Sequence, residues 1–137
     1  MPAHNDEFPW MSYYGNYNFF EDIIRNHSRV SVIRKIDDGF YDIELYDGRI
    51  LKVFICECYS YDIAEYYETI ENLGKVDVVV INSLWCSYTL ELKRHCVDHD
   101  IGLFDIKGFM SALNRERYWE FLTDSEKKSF AKKGWRL

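Results

Sequence analysis

No apolar run in these 137 residues approaches the roughly 20 that a membrane helix needs, and the opening MPAHNDEF has neither a basic stretch nor an apolar signal core. Those absences predict a soluble, cytoplasmic protein with no membrane partner. Internal repeats and low-complexity tracts are missing too, which leaves a globular chain rather than an array or a linker. Cysteine is present but wrongly spaced for zinc: Cys56 and Cys58 form a C-x-C, and Cys86 and Cys96 supply no second C-x2-4-C pair. The expectation is four buried thiols outside any zinc site or disulfide. His95 and His99, one helical turn apart around Cys96, read as surface histidines.

Positive charge is short. Seventeen Lys and Arg face 23 Asp and Glu, a net charge of −6. The deficit is uneven: residues 1–114 hold 10 basic against 19 acidic residues, or −9, and residues 115–137 hold 7 against 4, or +3. An acidic body disfavours a broad phosphate-binding surface, so nucleic acid is a disfavoured partner, and the basic tail reads as a solvated helix face.

What is abundant is apolar and aromatic. These classes reach 47% and 18% of the chain, enough for one core of ordinary size in a single domain, 1–137. Residues 1–17 form an aromatic lead whose Tyr13, Tyr14 and Tyr17 are expected to pack on the body or on another chain, a protein partner or a second copy.

The centre of the chain is FYDIELYDGRILKVFICECY, residues 40–59. Asp47-Gly48 marks a tight turn between two β-branched, alternating runs, and so predicts a hairpin. A three-residue loop with Gly48 left-handed puts Tyr41, Ile43 and Leu45 on one face with Leu51, Val53 and Ile55, and brings Asp42 or Glu44 opposite Lys52. Glu57 then ends the apolar row of a strand at 49–58. Its nearest cross-strand acids are Asp37 and Asp38, whereas Asp42 is about 13 Å away at about 3.3 Å per residue.

Around the hairpin, Asn18 is positioned to cap a helix running to about His27, with Phe20, Ile23, Ile24 and His27 on one face. VSVIRKI at 30–36 is an amphipathic strand. Asp62 and Glu65 form a capping box for a second helix ending at Gly74, with Ile63, Tyr66, Tyr67, Ile70 and Leu73 as its apolar stripe. A buried strand at 76–82 follows, then a helix from about Tyr88 to Asp98 with Lys93 outward, and a last strand at 102–106 in a right-handed parallel crossover. Three short helical segments complete the chain, the last capped by Thr123 or Asp124 and ending at Gly134.

This order, helix, three meander strands, helix, strand, helix, strand, resembles the restriction-endonuclease-like superfamily, the PD-(D/E)XK nucleases and their Mrr-like members. The resemblance spans residues 18–113 as an αβββαβαβ core on a mixed sheet, with 114–137 as a C-terminal helical extension. DVVVINS and DHDIGLFDIKGFMSAL look like its final strands and closing helix, and Glu57-Cys58-Tyr59 looks like its (D/E)-x-K element with Tyr59 in place of Lys. The resemblance implies Asp42 as first metal ligand, Glu57 as second and Glu21 as a further one, with Asp38 a substitute for Asp42 and Mg2+ as cofactor if the site is active. Such sites polarise the scissile phosphate with the metal and position water with the lysine. Without that lysine the expectation is a non-catalytic, accessory or inhibitory domain in a nucleic-acid-related pathway. The alternative is an Mg2+-dependent nuclease in which Arg34 or Lys35 has taken over the lysine's role.

Overall fold

The computed structural model describes residues 17–37, 39–58, 60–82 and 87–135. The expectations for Tyr13, Tyr14, Asp38, Tyr59 and Cys86 lie outside these residues.

Helix α1, Asn18–Arg25, leads into a meander of β1, Val30–Asp37, β2, Phe40–Leu45, and β3, Ile50–Cys56. Then come the short β4, Ser60–Tyr61, helix α2, Ile63–Leu73, and β5, Val78–Ile81. The short β6, Ser87–Tyr88, helix α3, Leu90–Asp98, and β7, Gly102–Asp105, follow. Helix α4, Ile106–Ala112, a 3-10 turn at Tyr118–Glu120 and α5, Asp124–Lys132, close the chain. The five long strands form one mixed sheet in the order β1-β2-β3-β5-β7. β1, β2 and β3 are antiparallel, and β3, β5 and β7 run parallel. The two short strands pair in parallel as a separate ribbon. No described helix is long and apolar enough to cross a membrane.

The hairpin has the expected register. Tyr46, Asp47 and Gly48 form its loop, Gly48 takes φ +95°, and the Leu45 amide donates to the Arg49 carbonyl at 2.8 Å. Asp42 stands opposite Lys52 and Tyr41 opposite Val53. Alternation along the strands therefore sorts the core into two clusters. Tyr41, Ile43, Leu45, Leu51, Val53 and Ile55 pack with Phe20 and Ile24 of α1 and Phe109 of α4. Phe40, Phe54 and Cys56 pack on the opposite side with Tyr66 of α2 and Leu92 and Cys96 of α3. A sheet covered on both faces explains why VVVI in β5 is apolar at every position and buried throughout.

Several local expectations are corrected. Asn18 is the first residue of α1, not its cap: the cap position is Tyr17, which makes no side-chain cap. Tyr17 is buried against the body, its ring 3.3 Å from where a β-carbon on Gly39 would lie. Helix α2 keeps its Asp62–Glu65 capping box and ends at Gly74, yet Tyr67 and Ile63 in its supposed apolar stripe are exposed. Helix α3 begins one residue after a Thr89 cap, because Tyr88 is drawn into the two-residue ribbon with Tyr61. Strand β3 stops at Cys56, leaving Glu57 and Cys58 beyond its end.

Gly39 is where the meander is tightest. It has φ +74°, and an added β-carbon would meet the Ile55 carbonyl oxygen at 2.7 Å. Gly48 is also left-handed but has open space around it. Gly39→Ala should therefore cost about 2 kcal/mol or more, the left-handed penalty plus a backbone clash, and Gly48→Ala only about 1 kcal/mol. Equilibrium urea unfolding of the two variants measures the difference; equal losses would contradict the close approach at Gly39.

Candidate functional site

The parallel strands β3, β5 and β7 end in register, with Cys56 beside Ile81 and Ile81 beside Asp105. Ligands of open α/β sheets bind outside such carboxyl ends. Glu57 follows that edge directly and is half-buried, next to Asn82, whose amide donates to the Cys56 carbonyl at 2.8 Å.

The other residues expected to share a metal with Glu57 are elsewhere. Asp42 is inside the sheet, its Oδ1 3.2 Å from the Lys52 ammonium. Paired residues of β2 and β3 sum to 94, as in 42 with 52 and 40 with 54; Asp37, expected across from Glu57, instead belongs to β1, where it pairs with Phe40 on the far side of β2, and Glu57 lies five positions past Lys52. Asp42 is thus five strand steps from the place facing Glu57, about 17 Å at about 3.3 Å per step. The parity differs as well: Asp42 belongs to the face of Phe40 and Phe54, the face away from Tyr41. Glu21, on α1, accepts a 2.6 Å hydrogen bond from the Tyr41 hydroxyl on that opposite face. The register therefore separates Asp42 from both Glu21 and Glu57. Among the described residues no three His, Cys, Asp or Glu side chains gather closely enough to hold a metal ion. Arg34 stands 3.9 Å from Glu44 in a largely exposed pair, and Lys52 points to Asp42 rather than toward the carboxyl edge.

What the structure does assemble near the carboxyl edge was not foreseen in the sequence. Lys93, expected on the outer face of α3, is completely buried. Its ammonium donates to the Leu103 carbonyl and lies 4.1 Å from the Phe104 ring centre and 5.8 Å from that of Tyr88. The Tyr88 hydroxyl in turn donates to Glu126 Oε2 at 2.6 Å. Glu126 is itself fixed by the Thr123 capping box at the start of α5, its Oε1 accepting from the Thr123 amide at 2.9 Å. Asp105 caps α4 through a 2.6 Å bond from the Gly108 amide. Burial pulls the Lys93 ammonium down to about 8, against the opposing fields of Glu126, Cys96 and Asp105. Burial likewise pushes the Cys96 thiol up to about 12, and burial with the Glu126 charge raises the Tyr88 phenol.

Lys93 has no opening to a substrate, so its chemistry is that of a buried anchor. The amine is oriented by a carbonyl and two ring faces, and Tyr88–Glu126 closes α5 over it. The sequence signal was weak because a lysine between Leu92 and Arg94 obeys helical periodicity as an outward residue; only the two aromatic faces supplied by Tyr88 and Phe104 make the inward position tenable. Beside this cluster an open cleft of about 430 Å3 is bordered by Asp105, Lys107, Ser111, Arg115 and Phe121.

No protein-family model, curated protein or solved structure matches the chain.

The lowered Lys93 value sets a pH test. Below pH 8 the side chain is charged in both folded and unfolded chains. Between about 8 and 10.5 the folded state has released a proton that the unfolded state keeps, so the Lys93 contribution to stability rises with pH, by about 3 kcal/mol over the window. Cys96 and Tyr66 act in the opposite sense from about pH 9 upward, because burial raises both. The readout is therefore the stability of wild type minus that of Lys93→Met at each pH, taken from urea melts. That difference should rise from pH 8 to 10.5; a flat difference would show that Lys93 is solvated.

Proposed function

We propose that this chain is a non-catalytic relative of the restriction-endonuclease-like superfamily, acting as a binding, accessory or inhibitory domain in a nucleic-acid-related pathway. Support for the kinship comes from the element order and from the sheet order β1-β2-β3-β5-β7, an antiparallel meander joined to two parallel strands. One observation carries the non-catalytic reading: Asp42, in the first ligand position, is neutralised by Lys52 at 3.2 Å and stands five strand steps from the position facing Glu57. A two-metal or one-metal phosphodiester site needs its carboxylates on one ion. Here Asp42 and Glu21 are on opposite faces of the sheet. The −9 body would also repel a polyanion on approach. In this reading the partner is a protein or a second copy of the chain, met through residues of the aromatic lead other than the buried Tyr17.

A second reading, an Mg2+-dependent nuclease, draws on the place of Glu57, half-buried just beyond the carboxyl end of β3. Wild type, Glu57→Gln and Asp37→Asn, assayed on single- and double-stranded DNA and RNA with Mg2+, Mn2+ or chelator, separate the two. The expected result is no metal-dependent cleavage that depends on either carboxylate. Cleavage by wild type that disappears in Glu57→Gln, with the fold and Tm unchanged, would establish the nuclease instead.

A further inference from the structure

Outside the carboxyl edge, helices α2 and α3 present a continuous row of rings. Tyr67 is exposed and stands 6.1 Å from His95, ring centre to ring centre; Tyr66 lies 5.9 Å from His95, edge-on, and His95 stacks on His99 at 4.2 Å with 28° between the planes. The two imidazoles are four residues apart, so they rise from one face of α3 a single turn apart. His99 Nδ1 is 2.8 Å from the His95 carbonyl oxygen. A carbonyl only accepts, so Nδ1 carries the proton, and the Nε2 of neutral His99 keeps its lone pair on an exposed residue at the helix end. A ring nitrogen locked by a backbone carbonyl while the other nitrogen is left bare is the arrangement that metal-binding histidines use. The two tyrosines hold the His95 ring in place from α2.

We propose that His95 and His99 form a two-histidine chelate for a borderline divalent cation, Zn2+ or Ni2+, at the C-terminal end of α3. Imidazole nitrogens suit these ions, whereas Mg2+ and Ca2+ take oxygen ligands. Two nitrogens each about 2.1 Å from a tetrahedral ion are about 3.4 Å apart, so on binding the rings, stacked at 4.2 Å with 28° between their planes, turn out of the stack until both lone pairs converge on the ion. The protein supplies two ligands and water completes the shell, in keeping with the lack of any three-residue His, Cys, Asp or Glu group among the described residues. Cys96 is excluded as a third ligand, being fully buried in the core between α3 and the sheet. Occupancy would tie the last turn of α3 and fix the ring row, making this face of the molecule sensitive to the ion.

The test is isothermal titration of the full chain with ZnCl2 and, separately, NiCl2 at pH 7.5, with MgCl2 as control, alongside a melting curve at each ion concentration. Wild type should bind one equivalent of Zn2+ or Ni2+ and melt higher, with no response to Mg2+. His99→Gln and His95→Gln should each lose more than about tenfold in affinity while keeping the wild-type circular dichroism. His99→Gln guards against a folding artefact, since residue 99 is exposed. Absence of binding by wild type overturns the proposal, and so does binding that survives in both variants.

Discussion

The hydrogen bond from the Ile55 amide to the Gly39 carbonyl, 2.8 Å long and made by a glycine at φ +74°, sets the phase of β2 against β3. The rest of the molecule depends on that phase. A slip of one residue would turn Tyr41, Ile43 and Leu45 away from α1 and α4 and expose Glu44 and Asp42 to the core. With the phase as found, the two-sided core follows directly, because β3 carries Val53 and Ile55 to one helical layer and Phe54 and Cys56 to the other. The same phase pairs Asp42 with Lys52 and removes Asp42 from the carboxyl edge. Architecture and the separation of Asp42 from Glu57 are thus one consequence of one register.

The second layer is held differently. Beneath α3 the interior contains a lysine, which burial alone would expel or neutralise. It is tolerated because Leu103 offers a carbonyl, Phe104 and Tyr88 offer ring faces, and Glu126 supplies a compensating charge from α5. The C-terminal extension is therefore part of the core's electrostatics. Phe130 fills its underside, Lys133 reaches Glu91 of α3 at 3.5 Å, and the Arg94 guanidinium stacks at 4.7 Å on Trp135. The exposed pair contributes little, and the buried phenylalanine most.

Much of this was legible in the residues. Period-two alternation with a central Asp47-Gly48 gave the hairpin and a carboxylate, Asp42 or Glu44, opposite Lys52, which the register assigns to Asp42; the Asp62–Glu65 box gave the start of α2; and the brevity of VVVI gave a strand covered on both faces. What was not legible depended on neighbours distant in sequence. Lys93 turns inward only because β7 and the Tyr61–Tyr88 ribbon bring two rings to it. Tyr67 stays largely outside, its ring meeting His95 at 6.1 Å, because Tyr66, Ile70 and Leu73 take the places of α2 against the core. The separation of Asp42 from Glu57 was legible in the spacing and grows from four strand steps to five with the observed register, since one strand step moves a carboxylate by about 3.3 Å and reverses its face.

The claim that the register keeps the carboxylates apart is tested most directly by paramagnetic relaxation. Mn2+ is added to 15N-labelled protein and the amide linewidths of residues 37, 42 and 57 are followed up to one equivalent. The account predicts that Asp42 and Glu57 do not share the strongest broadening, whatever happens around His99. Equal and maximal broadening of Asp42 and Glu57 at substoichiometric Mn2+ would contradict it.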